Sequence, residues 1–197
     1  MPRTERDLIA LKHGGSIKAI DIIRSMLLYI GDDPDRPGLK DTPKRIVKSW
    51  DEMFSGYKDK PENFMTVFDD IPQQEMIVLK GIEFVSFCEH HWLPFHGVAH
   101  IGYIPYQNKI VGISKLARLL DLYSKRLQVQ ERITASITEA IEKHLQPCGA
   151  ACVIEAKHLC MCARGVKKQN SVMVTTDMRG CFKTDAACRS EFYSLIK

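Results

Sequence analysis

The sequence lacks any long hydrophobic run. Near its start the longest apolar stretch, Met26–Ile30, has five residues, whereas a membrane-spanning helix needs about 20. The basic residues Arg3, Arg6 and Lys12 are followed by no apolar segment like that of a signal peptide, because charged residues interrupt it. We therefore expect a cytoplasmic protein with no membrane partner.

A large charge surplus is also missing. The 28 Lys and Arg residues exceed the 24 Asp and Glu residues by only four, which is too little to indicate nonspecific nucleic-acid binding. With 197 residues, of which 45% are hydrophobic and 26% are charged, the chain is typical of a globular protein and not of a disordered or fibrous one. Folding would bury about 70% of its surface, enough for a real core.

The cysteines do not form the even-numbered framework of a secreted disulfide protein. There are seven of them, and six fall in the last fifty residues. In a reducing compartment, clustered cysteines indicate a metal site or catalysis instead. The cysteines are Cys88, Cys148, Cys152, Cys160, Cys162, Cys181 and Cys188.

Two helices are predicted in an N-terminal helical region over residues 16–76, after a tail over 1–15. The first is capped by Ser16, has apolar residues at three-to-four spacing, and ends at Gly31. The second begins at Thr42–Pro43, an N-cap followed by proline at the first helical position, and is ended by Gly56.

Short β-branched and aromatic runs predict a sheet in residues 77–197, which we take as a second domain. Between them, Ser114–Leu145 contains no Pro or Gly, so it predicts one long helix or two. A last helix is expected from about Ala186. This order indicates an α+β fold and not alternating βαβ units. The predicted strands are Ile77–Phe87, Gly97–Ile104, Lys109–Ile113, Ala151–Ala156 and Ser171–Thr176.

The densest chemical signal is the segment Cys88–His91, in which a thiol and an imidazole lie three positions apart. Zinc prefers these donors. Further ligands are expected from His158–Cys162, some seventy residues on. A closed structural site would use both Cys160 and Cys162. The alternative is an open site, in which three ligands and a water position remain.

Two histidines next to these ligands, His90 and His158, are not needed as ligands. Most single histidines are ordinary surface or core residues. Two that flank an open metal site are candidates for proton transfer near neutral pH.

Basic pairs three positions apart share a helix face and offer a phosphate site. Lys115 and Arg118 form one such pair, and Arg45 and Lys48 form another. Arg164 adds positive charge just after the second cysteine cluster. The alternative is a solvated helix face, which is the commoner role of such charges.

Four segments together resemble GTP cyclohydrolase I, in the right order and spacing over about residues 16–197. The resemblance implies a tunnelling fold, in which an antiparallel four-stranded sheet is backed by two helices, with an N-terminal helical extension. It also implies a barrel, and a homodecamer of two stacked pentamers with active sites at subunit interfaces. The implied reaction converts GTP and water to formate and 7,8-dihydroneopterin triphosphate. The four segments are Cys88–His91, Ser114–Arg118, Gln128–Arg132 and His158–Val166.

The resemblance also implies residue roles. It makes Cys88, His91 and Cys160 the Zn²⁺ ligands and excludes Cys162 from the metal set. It assigns acid-base roles to His90 and His158 and places Ser114 in the pocket. Gln130 and Glu131 match a guanine-recognising pair. The residues expected to contact the triphosphate are Arg45, Lys48, Lys115, Arg118 and Arg164.

Two other functions remain open from the residues. A zinc deaminase would require a His-x-Glu and a Pro-Cys-x-x-Cys motif; here Glu89 precedes His90, and Cys148 is followed by Cys152, one position too far. A noncatalytic zinc module could bind RNA through its basic segments. It would have a filled four-ligand site and no turnover.

Overall fold

The computed structural model describes residues 18–197. The described residues form two compact units, divided between Glu52 and Met53. This division lies ahead of the expected boundary at 76/77, because residues 53–76 belong to the larger unit. Gly56, for example, donates its backbone N–H to the Lys125 carbonyl, and Phe64 lies in the main hydrophobic core.

The first unit contains the two predicted helices. Helix α1 spans Ala19–Tyr29 and helix α2 spans Thr42–Met53. Ile23 and Leu27 are four residues apart and form the buried side of α1. The predicted cap Ser16 lies outside the described residues.

The second unit is built on a sheet of long antiparallel strands. Its spatial order is β5-β2-β3-β6-β7, and β5 is a two-residue strand parallel to β2. The predicted four-stranded antiparallel sheet is therefore present as β2-β3-β6-β7. The strands are β1 (Val67–Phe68), β2 (Ile77–Cys88), β3 (Pro94–Ile104), β4 (Ile110–Val111), β5 (Leu127–Gln128), β6 (Gly149–His158) and β7 (Met173–Gly180).

The predicted strand Lys109–Ile113 is shortened to β4, which pairs with β1 in a separate two-stranded sheet. It does not enter the main sheet because the next helix begins at Ile113. The backbone N–H of Val111 donates instead to the Tyr103 hydroxyl at 3.1 Å. The run of β-branched residues therefore connects the sheet to a helix.

Two helices cover one face of the sheet, α3 (Ile113–Ser124) and α4 (Gln130–Leu145). The sequence predicted either one long helix or two in this region. The structure has two, and β5 lies between them. Their apolar sides are fully buried, as at Leu119 and Ile137. Short helices α5 (Leu159–Cys162) and α6 (Cys181–Thr184) follow β6 and β7, and the chain ends in α7 (Ala186–Ile196), as predicted.

Strands β3 and β6 approach closely at Gly97, which lies opposite Ala156 in the register. A Cβ atom on Gly97 would collide with the backbone of Glu155 and Ala156. The absence of a side chain thus lets the start of β3 pair with the end of β6, where Phe95 lies opposite His158.

Across residues 18–197, no helix combines the length and the apolar character that a membrane crossing requires.

Candidate metal centre and active site

The structure brings together the three predicted metal ligands. The donor atoms of Cys88, His91 and Cys160 lie within 4.8 Å of one another. Cys88 ends β2 and Cys160 follows β6, and both strands pair with β3. The sheet therefore brings two segments that are about seventy residues apart in the chain to the same end of its strands.

A tight turn presents the first two ligands. The backbone N–H of Trp92 donates to the Cys88 carbonyl at 2.8 Å, and the Cys88 N–H donates to the Leu93 carbonyl at 2.9 Å. Trp92 adopts a φ of +57°, a left-handed conformation that is uncommon for a residue with a side chain. The chain reverses here, so Cys88 and His91 point to the same place.

The third ligand comes from a helical turn and not from an extended segment. Leu159–Cys162 forms α5, in which residues two apart point in different directions. Cys162 turns away from the cluster, and its thiol donates to the Lys168 carbonyl at 3.4 Å. Within residues 18–197, three ligands therefore meet, and not the four of a closed site.

The donor set fits a zinc ion. Burial, followed by the neighbouring Cys88 thiol, raises the pKa of Cys160, because two thiolates side by side in a partly buried place repel each other. A divalent cation removes that penalty. Two thiolates and one imidazole are ligands that zinc prefers, and in catalytic sites a fourth position stays open for water or substrate.

The candidate proton-transfer histidines differ in their surroundings. His90 is exposed, with Nδ1 3.7 Å from the Cys88 sulfur. His158 is half-buried and stacks on Phe95, with ring centroids 4.5 Å apart and nearly parallel planes. Burial lowers the pKa of His158, and the Glu131 carboxylate opposes this shift.

Gln130 lies beneath His158 and is fully buried. Its amide nitrogen donates to the Ile154 and Met173 carbonyls and to the Thr175 hydroxyl. Its Oε1 atom therefore faces His158 Nε2, at 2.8 Å. The side chain is occupied within the protein, whereas its neighbour Glu131 is exposed on the first turn of α4.

The burial of Gln130 had a signal in the sequence. It continues the buried positions Ile133, Ile137 and Ile141 backwards along α4 at helical spacing. A polar residue on that side of a helix is expected to make internal hydrogen bonds.

Among the predicted phosphate contacts, Arg164 lies at the metal cluster. One of its guanidinium nitrogens is 2.7 Å from His91 Nε2. Ser114, Lys115 and Arg118 lie in the first half of α3 instead. The other end of α3 leads to β5, beside Cys88.

Ser114 is about 15 Å along the axis of α3 from Ser124, at 1.5 Å per residue. Ser114 therefore lies at the end of α3 that is farther from β5 and Cys88. In the first unit, Arg45 and Lys48 are exposed on α2, and Arg45 lies 3.7 Å from Asp41.

The cysteines that a deaminase would require are not at the metal cluster. Cys152 is fully buried in the core. Cys148 precedes the start of β6, whereas Cys160 follows its end, and a ten-residue strand is about 33 Å long. This arrangement does not support a deaminase.

An ion pair at the cluster was not found by the sequence analysis. Arg132 donates two hydrogen bonds to the carboxylate of Glu89, the residue between Cys88 and His90. The partners are 43 positions apart in the chain, and nothing in the local pattern around either residue indicates the pairing.

The fold and the cluster define a class of protein: an α+β protein with a three-donor candidate metal centre at one end of an antiparallel sheet, next to a half-buried histidine. Comparisons with known proteins identify one family. Residues 19–197 match the family model of GTP cyclohydrolase I. The chain belongs to the GTP cyclohydrolase I family.

Individual relatives agree with the family model. GTP cyclohydrolase 1 of Wolinella succinogenes is 56% identical over 178 residues, covering 90% of this chain and 95% of the relative. The protein of the same name from Geobacillus kaustophilus is 49% identical over 176 residues, covering 89% and 93%. Among solved structures, the archaeosine synthase QueF-Like in the apo form is 14% identical with a TM-score of 0.42, covering 56% of this chain and 97% of that one.

Proposed function

We propose that the protein converts GTP and water to formate and 7,8-dihydroneopterin triphosphate. The observation that carries this proposal is the convergence of Cys88, His91 and Cys160 beside the half-buried His158, in a chain of this family. Zinc is the proposed ion. When bound, zinc is a Lewis acid that lowers the pKa of a coordinated water toward about 7.

His158 has a defined protonation pattern in this site. Gln130 Oε1 can only accept a hydrogen bond, so the neutral imidazole carries its proton on Nε2. His158 Nδ1 is then the atom that takes up and releases a proton during the reaction. His90 is the second proposed proton-transfer group, and its exposure allows exchange with solvent.

Glu131 is proposed to recognise guanine. One carboxylate can accept hydrogen bonds from both the N1–H and the 2-amino group of the base, and adenine offers neither donor at those positions. Glu131 is exposed on the first turn of α4, next to the residue that holds His158. We propose that Gln130 contributes to guanine binding indirectly, because its own side-chain amide is already hydrogen bonded within the protein. It holds the backbone next to Glu131, and it holds the His158 ring.

The triphosphate is proposed to bind Arg164 together with Ser114, Lys115 and Arg118. Because these residues lie at the end of α3 that is farther from β5 and Cys88, we propose that a neighbouring copy supplies them. Arg45 and Lys48 of a neighbouring copy would add further positive charge. Binding of the triphosphate would hold the base at the reacting centre.

A shared site requires an oligomer, and the proposed assembly is a barrel-forming homodecamer of two pentamers. One feature of the sheet supports such pairing. Strand β7 is eight residues long and, within residues 18–197, pairs along only one side. An edge of this length is a template for a strand from another chain.

The proposed location is the cytoplasm. All seven cysteines are free, including Cys181 and Cys188, whose sulfurs are 3.7 Å apart. Unpaired thiols at this distance fit a reducing compartment.

Formate release tests the function. The purified, zinc-loaded protein is incubated with GTP, and formate and the pterin product are quantified. We expect stoichiometric formation of both. A protein that binds one zinc per chain and releases no formate from GTP would overturn the proposal and favour the noncatalytic zinc module.

A further inference from the structure

The ion pair of Glu89 with Arg132 joins the metal-binding turn to helix α4. Arg132 Nη1 is 2.6 Å from Glu89 Oε2, and Nη2 is 3.2 Å from Oε1. Two parallel N–H···O bonds fix both the position and the orientation of a carboxylate. The same Nη1 donates to Gln128 Oε1 at 3.2 Å, so the guanidinium is itself held in place.

Glu89 lies between two functional side chains. It follows the ligand Cys88 and precedes His90. Its backbone N–H donates to the Gln128 carbonyl at 3.0 Å, and its side chain is held by Arg132. The turn is thus attached from both its backbone and its side chain.

The first turn of α4 also contacts the segment that supplies the third ligand. Gln130 bonds to His158, two residues before Cys160, and Arg132 bonds to Glu89. Helix α4 therefore touches both chain segments that hold the metal, with Glu131 between the two contacts. A rigid helix in this place sets the distance between the two halves of the site.

An exposed ion pair adds little to the free energy of folding. Arg132 and Glu89 retain 52% and 32% exposure of their side chains, so stability is a weak explanation for a bidentate pair here. A second pair offers a comparison: Arg179 binds Glu142 at 2.8 Å, near the other end of α4 and away from the metal cluster.

We propose that Arg132 is a positioning residue for the metal centre. By clamping Glu89, it holds the Cys88–His91 turn in the conformation in which both ligands meet Cys160, and it keeps His90 at the site. The inference rests on the proposed function for its catalytic consequence, but its effect on metal binding does not depend on the substrate.

The test compares Arg132→Ala, Arg132→Lys and Glu89→Gln with Arg179→Ala as the matched control. Zinc affinity is measured by competition with a chelator, and the absorption spectrum of the cobalt(II)-substituted protein reports ligand geometry. Formate release gives kcat and KM for GTP. Thermal unfolding of each variant separates stability from site geometry.

Arg132→Ala is expected to lower zinc affinity about 10- to 100-fold, the usual effect of losing a residue that orients a metal ligand. The cobalt spectrum should change and kcat should fall at least about tenfold, with a smaller change in KM. Arg132→Lys and Glu89→Gln keep one hydrogen bond and should fall between Arg132→Ala and the unmodified protein. The double variant Glu89→Gln/Arg132→Ala should lose no more than Arg132→Ala alone, because the two residues act through each other.

An unchanged zinc affinity and cobalt spectrum in Arg132→Ala would overturn the proposal, as would equal losses in Arg179→Ala. If Arg132→Ala does not fold, Arg132→Lys and Glu89→Gln decide by the same measurements, since both preserve side-chain size. If the unmodified protein releases no formate from GTP, the proposed function fails, and the zinc and cobalt measurements still decide the role of Arg132.

Discussion

Gln130 and His158 form a hydrogen bond of 2.8 Å that joins the first residue of α4 to the last residue of β6. The amide of Gln130 also donates to Ile154, Met173 and Thr175, so it cannot rotate without losing several bonds. The orientation of the His158 ring is therefore set by a residue that is itself fixed by the sheet.

Gln130→Ala should destabilise the protein and reduce kcat together. The Ile154 and Met173 carbonyls would lose this donor, and each buried group left unsatisfied costs about 1–3 kcal/mol. The Thr175 hydroxyl keeps its bond to Thr134. Urea unfolding measures the stability, and formate release measures kcat. Glu139→Ala, an exposed change on the same helix, should stay within about 0.5 kcal/mol of the unmodified protein; equal effects of the two changes would contradict this role of Gln130.

Cys160→Ala should remove metal and activity together, whereas Cys162→Ala should retain both. Cys160 contributes one of three donors to the cluster, but the Cys162 thiol bonds to the Lys168 carbonyl. Metal content per chain by atomic emission and formate release by the loaded protein are the measurements, with a loss of at least about a hundredfold in activity expected for Cys160→Ala. Loss of zinc in Cys162→Ala would indicate a closed four-ligand site instead.

Glu131→Gln should sharply reduce turnover of GTP. The amide presents one acceptor where the carboxylate presents two, so one of the two guanine donors loses its partner, at a cost of about 1–3 kcal/mol. For the unmodified protein, ATP should be a very poor substrate. The measurement is kcat/KM for GTP and ATP; full GTP turnover and discrimination by Glu131→Gln would show that another group recognises the base.

Chains carrying Arg45→Ala or Cys160→Ala should each be nearly inactive, and co-expression of the two should restore part of the activity. In a shared site, some interfaces of a mixed oligomer would combine an intact metal centre with an intact basic helix. Formate release by the purified mixture is the measurement. Activity no higher than that of the separate variants would indicate a self-contained site.

Stability should fall as the pH drops below about 6.5 because of His100. Burial lowers the pKa of this imidazole below its usual 6.5; the nearby Glu155 carboxylate opposes the shift and Lys80 adds to it. The unfolded chain then binds a proton at a higher pH than the folded chain, so the contribution is complete above about 6.5 and is lost as the pH falls toward the folded pKa. Melting temperatures at pH 5 and 7.5 should differ less in His100→Asn than in the unmodified protein, while His96→Asn, an exposed change on the same strand, should leave the difference intact.

Local patterns predicted the parts of the site that lie within one segment. The spacing of Cys88 and His91 indicated a metal turn, and the periodicity of Ile133, Ile137 and Ile141 indicated α4. Cys160 lies in the cluster and Cys162 does not, because residues two apart point in different directions in the helical turn of α5. In an extended strand they would share a face, so strand geometry could not have separated them.

Contacts between distant segments were not predictable in the same way. The pairing of Arg132 with Glu89 depends on the register of β5 beside β2, which no single segment encodes. The shortening of Lys109–Ile113 to a two-residue strand has a similar cause. Its apolar composition suits a strand, and only the start of α3 at Ile113 decides where it ends.

The placement of the ligands on β2 and on the turn after β6 also determines when the site can form. During synthesis the Cys88–His91 segment leaves the ribosome about seventy residues before Cys160, and until then it offers only two donors. The third arrives once β6 has been made and has paired with β3 at the close approach over Gly97. The complete three-donor cluster therefore forms late in the biogenesis of the chain, and stalled or truncated products that end before β6 should leave the ribosome with only two of its donors.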